Sequence, residues 1–304
     1  MYRYKLYGLT IESEVELFQL MKTDENSPVD ATIRMDRVSE EVLRYLEEKD
    51  ALKCRYHIGF TYSCFFNIGG YYVIKNGNEI IFEMNEGYDI ETVSCWILGF
   101  CTAMLLLQRQ TLAVHCSAVT DGENTILISG EPGAGKSTLT RRFLEKGYKL
   151  MADDVAAVRL EGDNAIVYSG FPYQKLVRNE VESRNLDIEK LIYINEQKDK
   201  FLVPVDENFE DKPQILKNFV YLVAGDVPEI QFGQVRGLDM LFAIKNNLFL
   251  HKLPGTWENE KELVEECLNI ASKCNVFIVV RPSEGDSTIK ILEKLEEAFD
   301  SPLQ

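Results

Sequence analysis

Apolar and polar residues alternate from the first residues of the chain. Tyr2, Tyr4 and Leu6 are separated by Arg3 and Lys5, the two-residue period of a strand with one buried face. Further on, Tyr71-Tyr72-Val73-Ile74 and Glu79-Ile80-Ile81-Phe82 flank Asn76-Gly77-Asn78, a turn of the kind that joins hairpin arms. Residues 39–49 between them are charged and predict a short helix. Residues 1–90 are therefore expected to form a small β-rich domain.

The pattern changes near residue 91. An apolar stretch over 90–110 predicts a helix, and 112–115 and 125–129 read as buried strands. A glycine-rich turn leads into a helix from Lys136, closed by Gly147 as a C-terminal cap. Residues 148–152 predict a strand that runs into Asp153-Asp154, and 155–168 a hairpin around Gly162-Asp163-Asn164. Residues 171–212 are polar and show no firm periodicity, which suggests a lid or a substrate-binding insertion. Helices near 236–247, 258–273 and 286–299 and a strand over 276–280 complete the pattern. The succession of strand, loop, helix and strand predicts an α/β domain over 91–304.

The glycine-rich turn carries the most specific signal. Gly130-Glu131-Pro132-Gly133-Ala134-Gly135-Lys136-Ser137 satisfies G-x-x-x-x-G-K-[ST] in full and lies between a buried strand and a helix, the context a P-loop requires. Glycines let successive N–H groups turn inward toward phosphate oxygens, and the start of the helix adds its unpaired N–H groups. Residues Gly130 to Thr138 are thus expected to cradle a nucleotide. Lys136 would neutralise the β- and γ-phosphates and the Ser137 hydroxyl would complete a magnesium shell.

A P-loop alone does not separate kinase from ATPase or GTPase. Asp153-Asp154 closes the strand that follows the Lys136 helix, where strand ends in open α/β sheets meet their ligands. Two adjacent carboxylates can divide the work, one holding magnesium and the other accepting a hydroxyl proton. His115, on the strand before the P-loop strand, can face the same crevice. His57 and His251 lack such a context and are expected to be structural. Lys175, Arg178 and Lys200 are candidates to grip the transferred phosphate or the substrate.

Composition narrows the partners. With 49 acidic and 33 basic residues the net charge is −16, which repels a phosphate backbone and argues against nucleic-acid binding. Small ligands, or a neutral or basic peptide, fit better. The cysteines Cys54, Cys64, Cys95, Cys101, Cys116, Cys267 and Cys274 are odd in number with no C-x-x-C, and are expected to be reduced and mostly buried. The most apolar run, 95–107, is shorter than the roughly 20 residues of a membrane span, so a core helix is expected. With no signal-peptide core at the N-terminus, a cytoplasmic protein is expected. The oligomeric state is left open.

The run from His115 through the P-loop to Gly147-Tyr148-Lys149-Leu150-Met151-Ala152-Asp153-Asp154 resembles the catalytic core of HPr kinase/phosphorylases. The spacings from His115 to Lys136 and onward to Asp153 are similar to that family's as well. The resemblance implies ATP and Mg2+ as cofactors and a P-loop kinase domain of this type over 91–304. Lys136 and Ser137 would bind phosphate and magnesium. One of Asp153 and Asp154, with Asp154 favoured, would be the catalytic base and the other would support the metal. His115 would orient the aspartate near the transferred phosphoryl group. Thr138 stands where that family usually has Glu, and Val235-Arg236-Gly237-Leu238 is similar to a dephosphorylation signature that Asp239-Met240 does not continue.

The overall layout is most similar to the short HPr-kinase-like proteins found with ribosomal peptide-modification genes, including lasso-peptide kinases. They share the strand His115-Cys116-Ser117-Ala118-Val119. That resemblance implies a kinase for a serine on a precursor peptide or small protein. A kinase of a free hydroxyl metabolite, and a nucleotide-binding regulatory protein without turnover, are the alternatives.

Overall fold

The computed structural model describes residues 1–51, 55–194, 199–251, 253, 255–257 and 260–299. Cys54 lies outside these residues. The first hairpin, Tyr2–Leu6 with Leu9–Ser13, follows the alternation, burying Tyr4, Leu6 and Ile11. Its short turn places Tyr7 and Gly8 both at positive φ, the twist that hairpins favour. The second expected hairpin joins Gly70–Lys75 to Glu79–Met84.

These strands belong to a nine-stranded sheet. Its order is Gly255–Trp257, Tyr56–Ile58, Tyr62–Asn67, Gly70–Lys75, Glu79–Met84, Ala31–Met35, Leu9–Ser13, Tyr2–Leu6 and Met21–Lys22. All but one of these strands lie between Tyr2 and Met84. The exception, Gly255–Trp257, arrives from far along the chain to pair in parallel with Tyr56–Ile58.

The apolar helix runs through Ile90–Trp96, a π-helical turn at Ile97–Cys101 and Thr102–Gln108. Asp89 caps it by accepting from the Thr92 amide at 2.7 Å, and the Thr102 hydroxyl donates to the Ile97 carbonyl at 2.8 Å within the wide turn. At 19 residues and a mean hydropathy of 1.8 it is long and apolar enough to cross a membrane, yet 72% of that stretch is buried inside the protein. It packs against Gly70–Lys75 of the first sheet and Leu112–Val114 of the second. Two covered sides account for a helix that is apolar all round.

The second sheet carries the P-loop. Strand Gln214–Gly225, which the sequence reading did not identify, lies between the parallel strands Thr125–Gly130 and Asn275–Pro282. Successive residues Phe219 and Val220 are both fully buried, as in a strand covered on both faces. On one face helices Lys136–Glu145 and Thr288–Phe299 bury Leu139, Phe143, Ile291 and Leu295 against Ile128, Val220 and Val279. On the other, Leu127, Phe219 and Val276 join the core shared with the first sheet.

Residues 171–212 are not featureless. Tyr173–Val177, Lys200–Pro204 and Ile192–Ile194 form a three-stranded antiparallel sheet, and helix Arg178–Ser183 covers a small core of Leu176, Val181, Phe201 and Val203. The strands are too short to display a period. The resulting mixed α/β architecture agrees with the expected class.

One half-buried carboxyl is expected to carry a cost. Burial pushes the Glu266 carboxyl, on helix Glu260–Ala271, up to about 7. A raised carboxyl favours the protonated native state, so its penalty is absent below the unfolded value of about 4.3 and grows as pH rises toward 7. Glu266→Gln is therefore expected to stabilise the protein at pH 8 by about 1–2 kcal/mol, and to change nothing at pH 4. Thermal unfolding at the two pH values checks this.

Candidate active site

Strand Thr125–Gly130 delivers the P-loop to the edge of a crevice. Gly130 has φ +150, and a Cβ there would stand 2.3 Å from the Leu222 carbonyl oxygen, so the loop begins where two backbones nearly touch. Gly133 and Gly135 take φ +80 and +100, which turns the loop into the first turn of helix Lys136–Glu145. Lys136 Nζ folds back to donate to the carbonyls of Gly130 (2.7 Å) and Glu131 (3.3 Å). Burial lowers its pKa, although Asp153 and Asp154 oppose the shift.

Arg281, at the end of strand Asn275–Pro282, braces the loop. Its Nε donates to the Ala134 carbonyl at 2.8 Å and its Nη2 to the Gly133 carbonyl at 2.9 Å. No local pattern in the sequence singles it out. Its only signal is a cation at the end of an apolar strand.

Strand Lys149–Ala152 brings up the two aspartates. Asp153 Oδ1 accepts from the Ser117 hydroxyl at 2.7 Å, and Oδ2 from the Lys175 amide at 2.8 Å. Burial nevertheless raises its pKa, outweighing those two donors. Asp154 sits at φ +70, a left-handed conformation that Asp tolerates better than most residues. Its Oδ2 pairs with Lys175 Nζ at 3.0 Å and its Oδ1 lies 3.5 Å from His115 Nδ1. Burial works against ionisation here too, but Lys175, His115 and Lys200 outweigh it and hold Asp154 well below the usual carboxylate range. Neighbouring carboxyls are thus pushed in opposite directions, a pattern that separates acid–base roles.

His115 is fixed from several sides. Its amide donates to the Asn247 carbonyl at 2.7 Å, its own carbonyl accepts from the Ser129 hydroxyl at 2.7 Å, and its ring lies against Phe249. Nδ1 is 3.0 Å from the Asp154 carbonyl oxygen. A carbonyl only accepts, so the proton belongs on Nδ1, and Nε2 is left to face elsewhere.

A crevice of about 340 Å³ joins these groups, lined by His115, Lys136, Ser137, Asp153, Asp154 and Lys200 among others. The structure therefore gathers the expected catalytic residues, with Pro132 and Gly133 at its edge. Lys175 and Lys200 of the three-stranded sheet close one side. Arg178 does not join them. It pairs with Asp199 at 2.6 Å and lies over the Phe201 ring, which corrects its expected role as a phosphate grip. Ala134 is buried under the loop, while Gly135 and Thr138 face a second cavity. Val235-Arg236-Gly237-Leu238 forms the end of strand Gln231–Val235 and the start of helix Leu238–Lys245.

No family model matches the chain. Curated relatives are similar over limited segments. The HPr kinase/phosphorylase of Exiguobacterium sp. is 36% identical over 63 residues, 21% of this chain and 19% of that protein. That of Prosthecochloris aestuarii is 30% identical over 83 residues, 26% of this chain and 24% of that protein. That of Treponema pallidum is 33% identical over 78 residues, with the same two shares. The chain thus spans about a quarter or less of the length of the curated relatives it matches. Among solved structures, the Hpr(Ser) kinase/phosphatase from Coxiella burnetii is 14% identical with a TM-score of 0.33, covering 61% of this chain and 93% of that one.

Proposed function

We propose that this chain is a cytoplasmic phosphotransferase that uses ATP and Mg2+ to phosphorylate a serine hydroxyl of a peptide or small protein, a ribosomal precursor peptide in particular. One observation carries the reading: Asp154, held ionised by Lys175 and His115, shares a crevice with Lys136 and Ser137 of a complete P-loop. The segments similar to HPr kinase/phosphorylases support the same chemistry. The choice of a precursor peptide rests on the layout of a β-rich first part, an apolar helix and the His115-Cys116-Ser117-Ala118-Val119 strand.

The donor groups at the site suit magnesium. Ser137, Asp153 and Asp154 offer hard oxygens, and among the described residues no cluster of three or more His, Cys, Asp or Glu is arranged to hold a metal alone. Mg2+ ordinarily binds through one or two protein oxygens together with substrate phosphates, so Ser137 and Asp153 would hold it once a polyphosphate is present. Bound there, the ion neutralises charge on the phosphates.

The remaining roles belong to the chain. The P-loop amides and Lys136 position the transferred group, with the Lys136 ammonium exchanging the Gly130 and Glu131 carbonyls for phosphate oxygens. Asp154 accepts the serine proton as the serine oxygen attacks the γ-phosphorus, whose bond to the β,γ-bridging oxygen breaks so that ADP leaves. Lys175 and His115 keep that carboxylate ionised and aimed, and Lys200 adds positive charge to the phosphoryl side of the crevice. Catalysis is then mainly positioning and charge compensation.

Incubation with γ-labelled ATP, Mg2+ and serine-containing precursor peptides, with HPr in parallel, tests the proposal. Label on a peptide serine is the expected result. Label on HPr alone would shift the acceptor to the substrate named by the relatives, and label on a small molecule would make this a metabolite kinase. ATP binding with no transfer to any acceptor would end the kinase reading and leave a nucleotide-binding module.

A further inference from the structure

The tip of the first hairpin does not end in solvent. Between strands Tyr2–Leu6 and Leu9–Ser13, Tyr7 is only 3% exposed and reaches into the P-loop domain. Its amide donates to the Ser169 carbonyl at 2.9 Å. Its hydroxyl donates to the Val155 carbonyl at 2.8 Å, 148 residues further along the chain. The ring lies so close to Gly170 that an added Cβ there would stand 3.2 Å from Cε1 and 3.4 Å from the hydroxyl oxygen.

The carbonyl that Tyr7 holds belongs to the turn of the proposed base. The Val155 amide donates back to the Asp153 carbonyl at 2.9 Å, which closes a three-residue turn around Asp154 at φ +70. A γ-turn with its central residue at positive φ is rare and strained. Strain of that sort persists only where the surroundings over-determine it. His115 Nδ1, 3.0 Å from the Asp154 carbonyl oxygen, grips one peptide of the turn, and the Tyr7 hydroxyl grips the next. Burial first, and then the neighbouring Asp154 carboxylate, push the Tyr7 phenol up, so it remains a neutral donor across the working pH range.

We propose that Tyr7 is a positioning residue for Asp154: through its hydroxyl the first domain fixes the turn that aims the carboxylate at the incoming serine. This role rests on the reading of Asp154 as the general base. Tyr7 is not among the residues that line the crevice, so it acts at second hand, on the Val155 peptide and through it on the backbone of Asp154. A catalytic group displaced by about 1 Å can cost on the order of 10² in rate, so a clamp on its backbone is felt in the chemistry. The β-rich domain is thereby part of the catalytic apparatus as well as of the fold.

Tyr7→Phe in the full chain keeps the ring against Gly170 and removes only the hydroxyl. Tyr4→Phe is the control: Tyr4 is fully buried in the same hairpin, and its hydroxyl accepts from the Leu17 amide at 3.0 Å. Both variants are expected to lose a few degrees of melting temperature, each having given up one hydrogen bond. Only Tyr7→Phe should speed hydrogen exchange of the Val155 amide, by roughly five- to thirtyfold when followed by NMR, a readout that needs no acceptor. Only Tyr7→Phe should slow single-turnover phosphoryl transfer, by about 10–100-fold, with ATP affinity held within about twofold. Val155 exchange or transfer unchanged by Tyr7→Phe, or equal slowing of transfer by Tyr4→Phe, would overturn the role of Tyr7 and spare the kinase reading. Absence of transfer by the unaltered chain to peptide, HPr or a small molecule would overturn both.

Discussion

Asp154→Asn is expected to slow phosphoryl transfer roughly 10²–10⁴-fold, the contribution typical of a positioned general base. An amide of the same shape still offers Lys175 an oxygen at about the 3.0 Å seen for the carboxylate, but it cannot take the serine proton. ATP affinity should change by less than threefold, because Lys136 and the loop amides carry donor binding. Single-turnover transfer and equilibrium binding separate the two quantities. The Lys175 side chain is only 9% exposed, so the variant also loses stability and is best assayed well below its melting temperature. A depressed carboxyl stays ionised across the working range, and its contribution is lost only as pH falls through its low folded-state value. Asp154 should therefore set no acid limb in the rate profile between pH 5 and 8. An active Asp154→Asn beside an inactive Asp153→Asn would move the base to Asp153.

Gly130→Ala should be the most damaging single methyl in the chain's P-loop. The backbone at φ +150 is strained for any L side chain, by about 1–3 kcal/mol, and the new Cβ would meet the Leu222 carbonyl oxygen at 2.3 Å. Neither atom can give way without parting strand Thr125–Gly130 from strand Gln214–Gly225, where Gly130 and Leu222 are register partners. A fall in melting temperature of several degrees and loss of ATP binding are expected together. Gly133→Ala is the control: φ is +80 but nothing lies within 4 Å of the added carbon, so only the local strain, about 1 kcal/mol, should appear. Equal losses in the two variants would show that the close approach to Leu222 does not matter.

These two residues were legible in the sequence because their signals are local. The P-loop spacing, the Asp153-Asp154 pair at a strand end and His115 one strand earlier all fall in the run from His115 to Asp154, and the structure brings them into one crevice. The hairpins at 70–84 and 156–168 were equally readable from turn residues between alternating arms. Strand Gln214–Gly225 was not, although Phe219-Val220-Tyr221-Leu222-Val223 is a continuous run of the kind a strand covered on both faces displays. Its first residues, including Lys217 and Asn218, extend the polar character of the preceding insertion and hide where the strand begins. Lys175 was named from sequence as one of three loose candidates. What it does depends on strand Tyr173–Val177 pairing with Lys200–Pro204, a contact no local pattern announces. Arg281 likewise acquires meaning only from loop residues far from it along the chain.

The parallel pairing of Gly255–Trp257 with Tyr56–Ile58 bears on how the polypeptide folds as it is made. At about 5–20 residues per second, a ribosome needs roughly 10–40 seconds to travel from the one segment to the other. Throughout that interval Tyr56–Ile58 is an open sheet edge, and Thr125–Gly130 stands without its parallel neighbour until Gly225 has emerged. The nascent chain thus exposes two adhesive borders before its own later segments can seal them, and slower elongation past residue 130 should raise the share lost to aggregation or held by chaperones.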